Sequence, residues 1–118
     1  MTHTVTLLAD HKGQTRPRVS GDEYFVDAVI DITSHTAAGE EISASSLGLA
    51  TINCVIITGQ EKGFGNSGFL ATVELSTAGA YESVSSFQIV ATDFDGTNAS
   101  ASNSDDIGAV RVRVYGNL

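Results

Sequence analysis

The chain has 118 residues, with 14 acidic and six basic side chains and a formal net charge of −8. That length suits one domain, residues 1–118, burying about two-thirds of the surface its unfolded chain exposes. The acidic balance argues against a nucleic-acid binder, whose affinity comes from phosphate contacts, and the single cysteine, Cys54, excludes an intramolecular disulfide or a cysteine-rich metal cage.

Thirteen serines and twelve threonines, one proline and no tryptophan give the composition of a β-protein. The opening residues lack a basic segment followed by an apolar run, so no secretory leader is expected. No apolar stretch approaches the roughly 18 residues of a membrane helix.

In chain order, His3, Val5 and Leu7 alternate with Thr2, Thr4 and Thr6 and predict a first strand with one apolar face. Residues 10–19, with Gly13 and Pro17, predict a loop with a short edge segment. Tyr24 to Ile32 gives the cleanest strand. Val26, Ala28, Ile30 and Ile32 share one face; Phe25, Asp27, Val29 and Asp31 share the other. A period of two sustained over nine residues does not suit a helix. Asp27 and Asp31 are expected to face outward from the core, about 13 Å apart along the strand.

A turn around Gly39 follows. Ser43 is placed to cap a single helical turn that Gly48 ends, carrying the chain from one sheet to another. Thr51 to Thr58 reads as a central, covered strand, with Ile52, Cys54 and Ile56 on one side and Val55 and Ile57 on the other. Residues 59–68 form a glycine-rich loop. Phe69 to Leu75 and Glu82 to Ala91 are strands, the second reaching Val84 through a bulge. Residues 93–106 read as a long acidic surface loop. Ile107 to Tyr115 closes the chain with Val110, Val112 and Val114 inward and Arg111, Arg113 and Tyr115 outward. Short strands at this spacing, without any βαβ rhythm, predict an all-β fold: one antiparallel β-sandwich, jelly-roll-like.

Reactive chemistry is sparse. His3, His11 and His35 stand at no recognised metal spacing. Cys54 is expected to be a buried small hydrophobe. Asp93-Phe94-Asp95-Gly96 opens like a calcium loop, but Asn98 stands at the glycine position and Ser104 where the final acid belongs. Asp93, Asp95, Asp105 and Asp106 are left as a candidate weak calcium cluster. Gly63-Phe64-Gly65 lacks the lysine that a phosphate loop needs; Phe64 either tucks over the end of the sandwich or is offered to a partner. Asn98-Ala99-Ser100 fits a glycosylation acceptor but carries little weight without a leader. Glu40 and Glu41 are expected to be solvated neighbours. No catalytic set, metal site or cofactor is expected. The candidate contact residues are the early cations Lys12, Arg16 and Arg18, with Phe64 and the strip Arg111, Arg113 and Tyr115, because arginine and tyrosine are enriched in protein interfaces.

The segment from Ile30 to Gly59 resembles small tailed-phage virion proteins encoded near the major capsid protein. Thr36, Gly39, Glu40, Ile42, Leu47, Gly48 and Leu49 carry the likeness. Val110 to Gly116 is similar to the final strand of such proteins. That family has two glycines before the glutamate where this chain has Ala38-Gly39. The likeness covers about two-thirds of the chain. It implies a capsid decoration, or cement, protein: a non-enzymatic homotrimer on the outer surface of the virion, clamping neighbouring copies of the major capsid protein, with no nucleic acid and no membrane as partner. The alternatives are another virion component (a head fibre or tail-associated protein) or a carbohydrate-binding sandwich, for which exposed aromatics are few.

Overall fold

The computed structural model describes residues 2–34, 39–61, 69–75, 83–93 and 106–118. Among these residues eight strands follow in order: β1 (Thr2–Leu7), β2 (Arg18–Ser20), β3 (Glu23–Ser34), β4 (Glu40–Ser43), β5 (Thr51–Gln60), β6 (Phe69–Glu74), β7 (Ser86–Asp93) and β8 (Gly108–Asn117). They form two packed antiparallel sheets. The five-stranded sheet runs β1–β3–β8–β5, and β2 pairs with β3 beside β1. The three-stranded sheet runs β4–β7–β6.

The alternation read from the sequence positions the core. Val26, Ala28, Ile30 and Ile32 of β3 and Val110, Val112 and Val114 of β8 are buried between the sheets, facing Ile42, Phe87, Ile89 and Ala91 from the other layer. In an antiparallel pair, opposed residues share a face, so the register Ala28↔Val112 and Ile30↔Val110 makes one apolar wall. Fully burying each valine, isoleucine or phenylalanine of this core contributes about 1.5–3 kcal/mol.

The crossover between layers is where the sequence places it. A 3₁₀ turn, Ala44–Leu47, joins β4 of one sheet to β5 of the other. Gly48 ends it at φ 78°, the left-handed region that favours glycine. Ser43 stands at the N-cap position, yet its side chain makes no capping bond. Gly116 is needed for a different reason: its strand passes so close to the Thr51 carbonyl that a Cβ would collide with that backbone oxygen.

Expectations about β5 and Val84 are corrected. β5 is the edge of its sheet and not a central strand. A bulge at Asn53, where the register steps from Ile52↔Gly116 to Cys54↔Tyr115, reverses the phase of Cys54 to Ile57, and a second register shift at Thr58 restores it. Ile52 stays buried while Cys54 and Ile56 turn outward and are exposed. β5 also runs two residues further than Thr58, to Gln60. Val84 lies outside β7 and meets Ile52 through an isolated bridge.

The sheet edges are tied by side chains. On one side the Gln60 carboxamide donates to the Phe69 carbonyl (2.8 Å) and accepts from the Ala71 N–H (3.4 Å), joining β5 to β6. On the other, His3 Nδ1 on β1 lies 3.0 Å from Glu40 Oε2 on β4. Glu40 is fully buried, against the expectation of a solvated residue, because it faces inward beside Ile89; Glu41 faces solvent. An ionised carboxylate only accepts, so the ring nitrogen donates in that state. The second oxygen, Oε1, is buried without a hydrogen-bond partner.

Candidate interaction surface

The outer face of the five-stranded sheet gathers most of the residues singled out in the sequence. Cross-strand register sets them in rows. Arg18, Phe25, Tyr115 and Cys54 form one; Asp27, Arg113 and Ile56 the next; Val29 and Arg111 the third. The β3 and β8 residues belong to strands whose opposite face is held by the core, so their outward direction is fixed by packing behind them; Arg18 stands on β2, whose other face, Val19, is exposed.

Asp27 is the centre of this surface. It faces outward from the core, as the alternation places it, yet is only 5% exposed, because two arginines close over it. Arg113 Nε donates to Asp27 Oδ1 at 2.8 Å and Nη2 to Oδ2 at 2.9 Å, a bidentate fork. Arg18 Nη2 donates to the same Oδ2 at 2.9 Å. Both guanidinium groups also lie over the Phe25 ring, at 4.6 and 4.7 Å from its centre, within cation–π range. The Tyr115 ring sits 5.8 Å from Phe25.

The electrostatics follow from these contacts. Arg113's hydrogen bonds, with a smaller share from Arg18, hold the Asp27 carboxyl below its ordinary value, against the opposing effect of burial. Asp27 in turn holds Arg113 more firmly protonated. Arg18 and Arg113 are therefore braced, whereas Arg111 is exposed on the next row.

Lys12 and Arg16 lie in the exposed segment leading to β2. With Asp10, His11, Pro17 and Arg18 they line a shallow cleft of about 370 Å³. The segment is shaped by Asp10 Oδ1, which accepts from the backbone N–H groups of Lys12 (2.8 Å) and Gln14 (3.0 Å). Those two bonds, Gln14 first, hold the Asp10 carboxyl below its ordinary value.

Two candidate groups receive no structural account: Phe64, and the calcium candidates Asp95 and Asp105 with the side chain of Asp93, lie outside the described residues, as do His35 and Asn98. Asp106, the remaining acid of that cluster, accepts from the Gly108 N–H at 3.0 Å. Among the described residues no group of three or more histidine, cysteine and acidic side chains is placed to hold a metal ion. Sequence reasoning missed Phe25, Asp27 and Ile56 as members of the surface. Their shared period with Arg113 and Tyr115 was visible, but the strand pairing that joins them was not.

No protein-family model, curated protein or solved structure matches the chain.

Proposed function

We propose that this protein is a non-enzymatic structural component of a phage virion, a jelly-roll-like β-sandwich that binds the outer surface of the capsid and clamps neighbouring copies of the major capsid protein. The observation that carries the reading is the braced arginine–aromatic face. Arg18, Arg113, Phe25 and Tyr115 are the residue types enriched in interface cores, and their mutual contacts lower the ordering cost of docking. The resemblance of residues 30–59 and 110–116 to small virion proteins supplies the identity of the partner. The basic segment containing Lys12 and Arg16 is the capsid contact in this reading, and the Arg111, Arg113 and Tyr115 strip is the contact between subunits of a homotrimer.

Many shallow contacts repeated over a lattice would act by avidity. A sugar-binding role finds less support, since two guanidinium groups already occupy the Phe25 ring.

The clamping role is tested by heating DNA-filled heads that lack their decoration, with and without added protein, and following DNA release. Release at a higher temperature with the protein present is expected. An unchanged release temperature at saturating protein would refute the role.

A further inference from the structure

We propose that the cleft formed by residues 10–19 binds an extended, carboxylate-bearing peptide segment, an acidic stretch of the partner protein. The inference rests on the capsid-binding reading for the identity of that partner, and adds the chemistry by which the partner is recognised.

The first support is charge. Three of the chain's six bases, Lys12, Arg16 and Arg18, fall within residues 12–18. Arg18 is committed to Asp27 and to the Phe25 ring. Lys12 and Arg16 are exposed, and neither pairs with an acid among the described residues. Among the described residues the one acid lining the cleft is Asp10, and its Oδ1 already accepts from two backbone N–H groups. Asp22 and Glu23 follow at the turn into β3 and do not line the cleft, and Glu23 Oε2 accepts from Asn53 Nδ2 at 2.9 Å. Setting Arg18 against Asp27 leaves Lys12 and Arg16 against Asp10, a local excess of one positive charge on a chain of net −8.

The second support is the set of donors and apolar groups in the same place. A loop that cradles phosphate does so with free backbone N–H groups. Here those groups are spent: the Lys12 and Gln14 N–H groups on Asp10 Oδ1, and the Gly13 N–H on the Asp10 carbonyl at 3.0 Å. The cleft thus offers side-chain cations beside one carboxylate, which suits a singly charged group better than a phosphate. Pro17 and Val19 add apolar surface, Val19 being 67% exposed. Strand β2, whose Arg18 and Val19 line the cleft, is paired on one side only, with β3. Its free edge presents backbone groups to an extended chain. The volume of about 370 Å³ falls within the roughly 300–1,000 Å³ of ligand sites. Two free cations, an apolar side chain and a strand edge together fit a peptide that carries both acidic and apolar residues.

The test titrates three probes into the isotope-labelled full chain and follows backbone amide shifts by NMR. The probes are a capped peptide alternating glutamate and valine, its glutamine–valine counterpart, and inorganic phosphate. The glutamate peptide is expected to shift the amides of residues 10–20 saturably, and the glutamine peptide to bind at least about tenfold more weakly. Lys12→Glu/Arg16→Glu should weaken the glutamate peptide by a similar factor and gain binding of a lysine–valine peptide. Both substituted positions are exposed, and a thermal melt checks that the variant keeps its fold. No shifts at millimolar peptide, shifts centred elsewhere, equal binding of the glutamine peptide, or phosphate binding as tightly as the glutamate peptide would each overturn the proposal. Phage heads keep the two readings apart. Pelleting with heads by a protein that ignores the glutamate peptide overturns the cleft assignment and leaves the capsid reading standing. Peptide binding by a protein that ignores heads supports the cleft and removes the capsid as its partner.

Discussion

Replacing His3 with alanine probes the most exposed weakness of the fold. Glu40 is buried completely, its Oε2 is held by His3 Nδ1 at 3.0 Å, and its Oε1 has no partner. His3→Ala therefore leaves both carboxyl oxygens without a protein partner between the sheets. The His3 side chain is 21% exposed, so breaking the pair from its side costs about 3 kcal/mol, the lower end for a buried pair. A domain of this length has a total stability on the order of 6–18 kcal/mol, so the loss is a large fraction of it. The expected fall in Tm is about 10–20 °C. Removing both partners is a different perturbation. His3→Leu/Glu40→Leu puts apolar groups in place of the pair, a change that is often neutral or stabilising. Urea unfolding followed by far-UV circular dichroism, run on the native chain, His3→Ala and the double variant, separates the two perturbations. A His3→Ala protein within about 1 kcal/mol of the native chain would refute the reasoning, as would a double variant no more stable than His3→Ala.

Four further outcomes follow from particular contacts. Cys54 is exposed on β5, so a thiol reagent should label the native protein fully without denaturant; protection until unfolding would contradict the bulge at Asn53. Gly116→Ala should destabilise the protein by about 3 kcal/mol or more, because the added Cβ meets the Thr51 carbonyl oxygen; a neutral result in the same urea assay would show that the strands can separate at little cost. Asp27 binds its proton less readily folded than unfolded. Its stabilisation is therefore fully present above the unfolded aspartate value of about 3.9 and lost as pH falls through the lower folded value. Asp27→Asn should flatten the decline of stability below about pH 4, and an unchanged acid limb would show that the pair adds nothing. Arg113→Lys removes the fork to both Asp27 oxygens and the stacking on Phe25. It should cost about 1–3 kcal/mol, measured beside the native chain.

The parts of the fold that were legible share one property: a strand with a single covered face and no irregularity. β3 from Tyr24 to Ile32 and β8 throughout keep their period of two, so their inward residues could be read directly. The 3₁₀ turn and its glycine stop were legible because Gly48 must adopt a positive φ. β5 was misread because a bulge carries no compositional mark. Asn53 inserts one residue, and the apolar run Cys54 to Ile57 looks the same in either phase. Glu40 was misread because two adjacent glutamates look alike in sequence, and only pairing with Ile89 decides which one turns inward. The surface was half legible. Arg111, Arg113 and Tyr115 were found by alternation, but Asp27 meets Arg113 across 86 positions of sequence. Local pattern does not encode which strands become neighbours.

The most direct test of the proposed role is co-sedimentation of the purified protein with expanded phage heads lacking their decoration. Saturable pelleting with the heads, weakened by Lys12→Glu/Arg16→Glu, is the predicted result. Protein that remains in the supernatant at every head concentration would contradict the account.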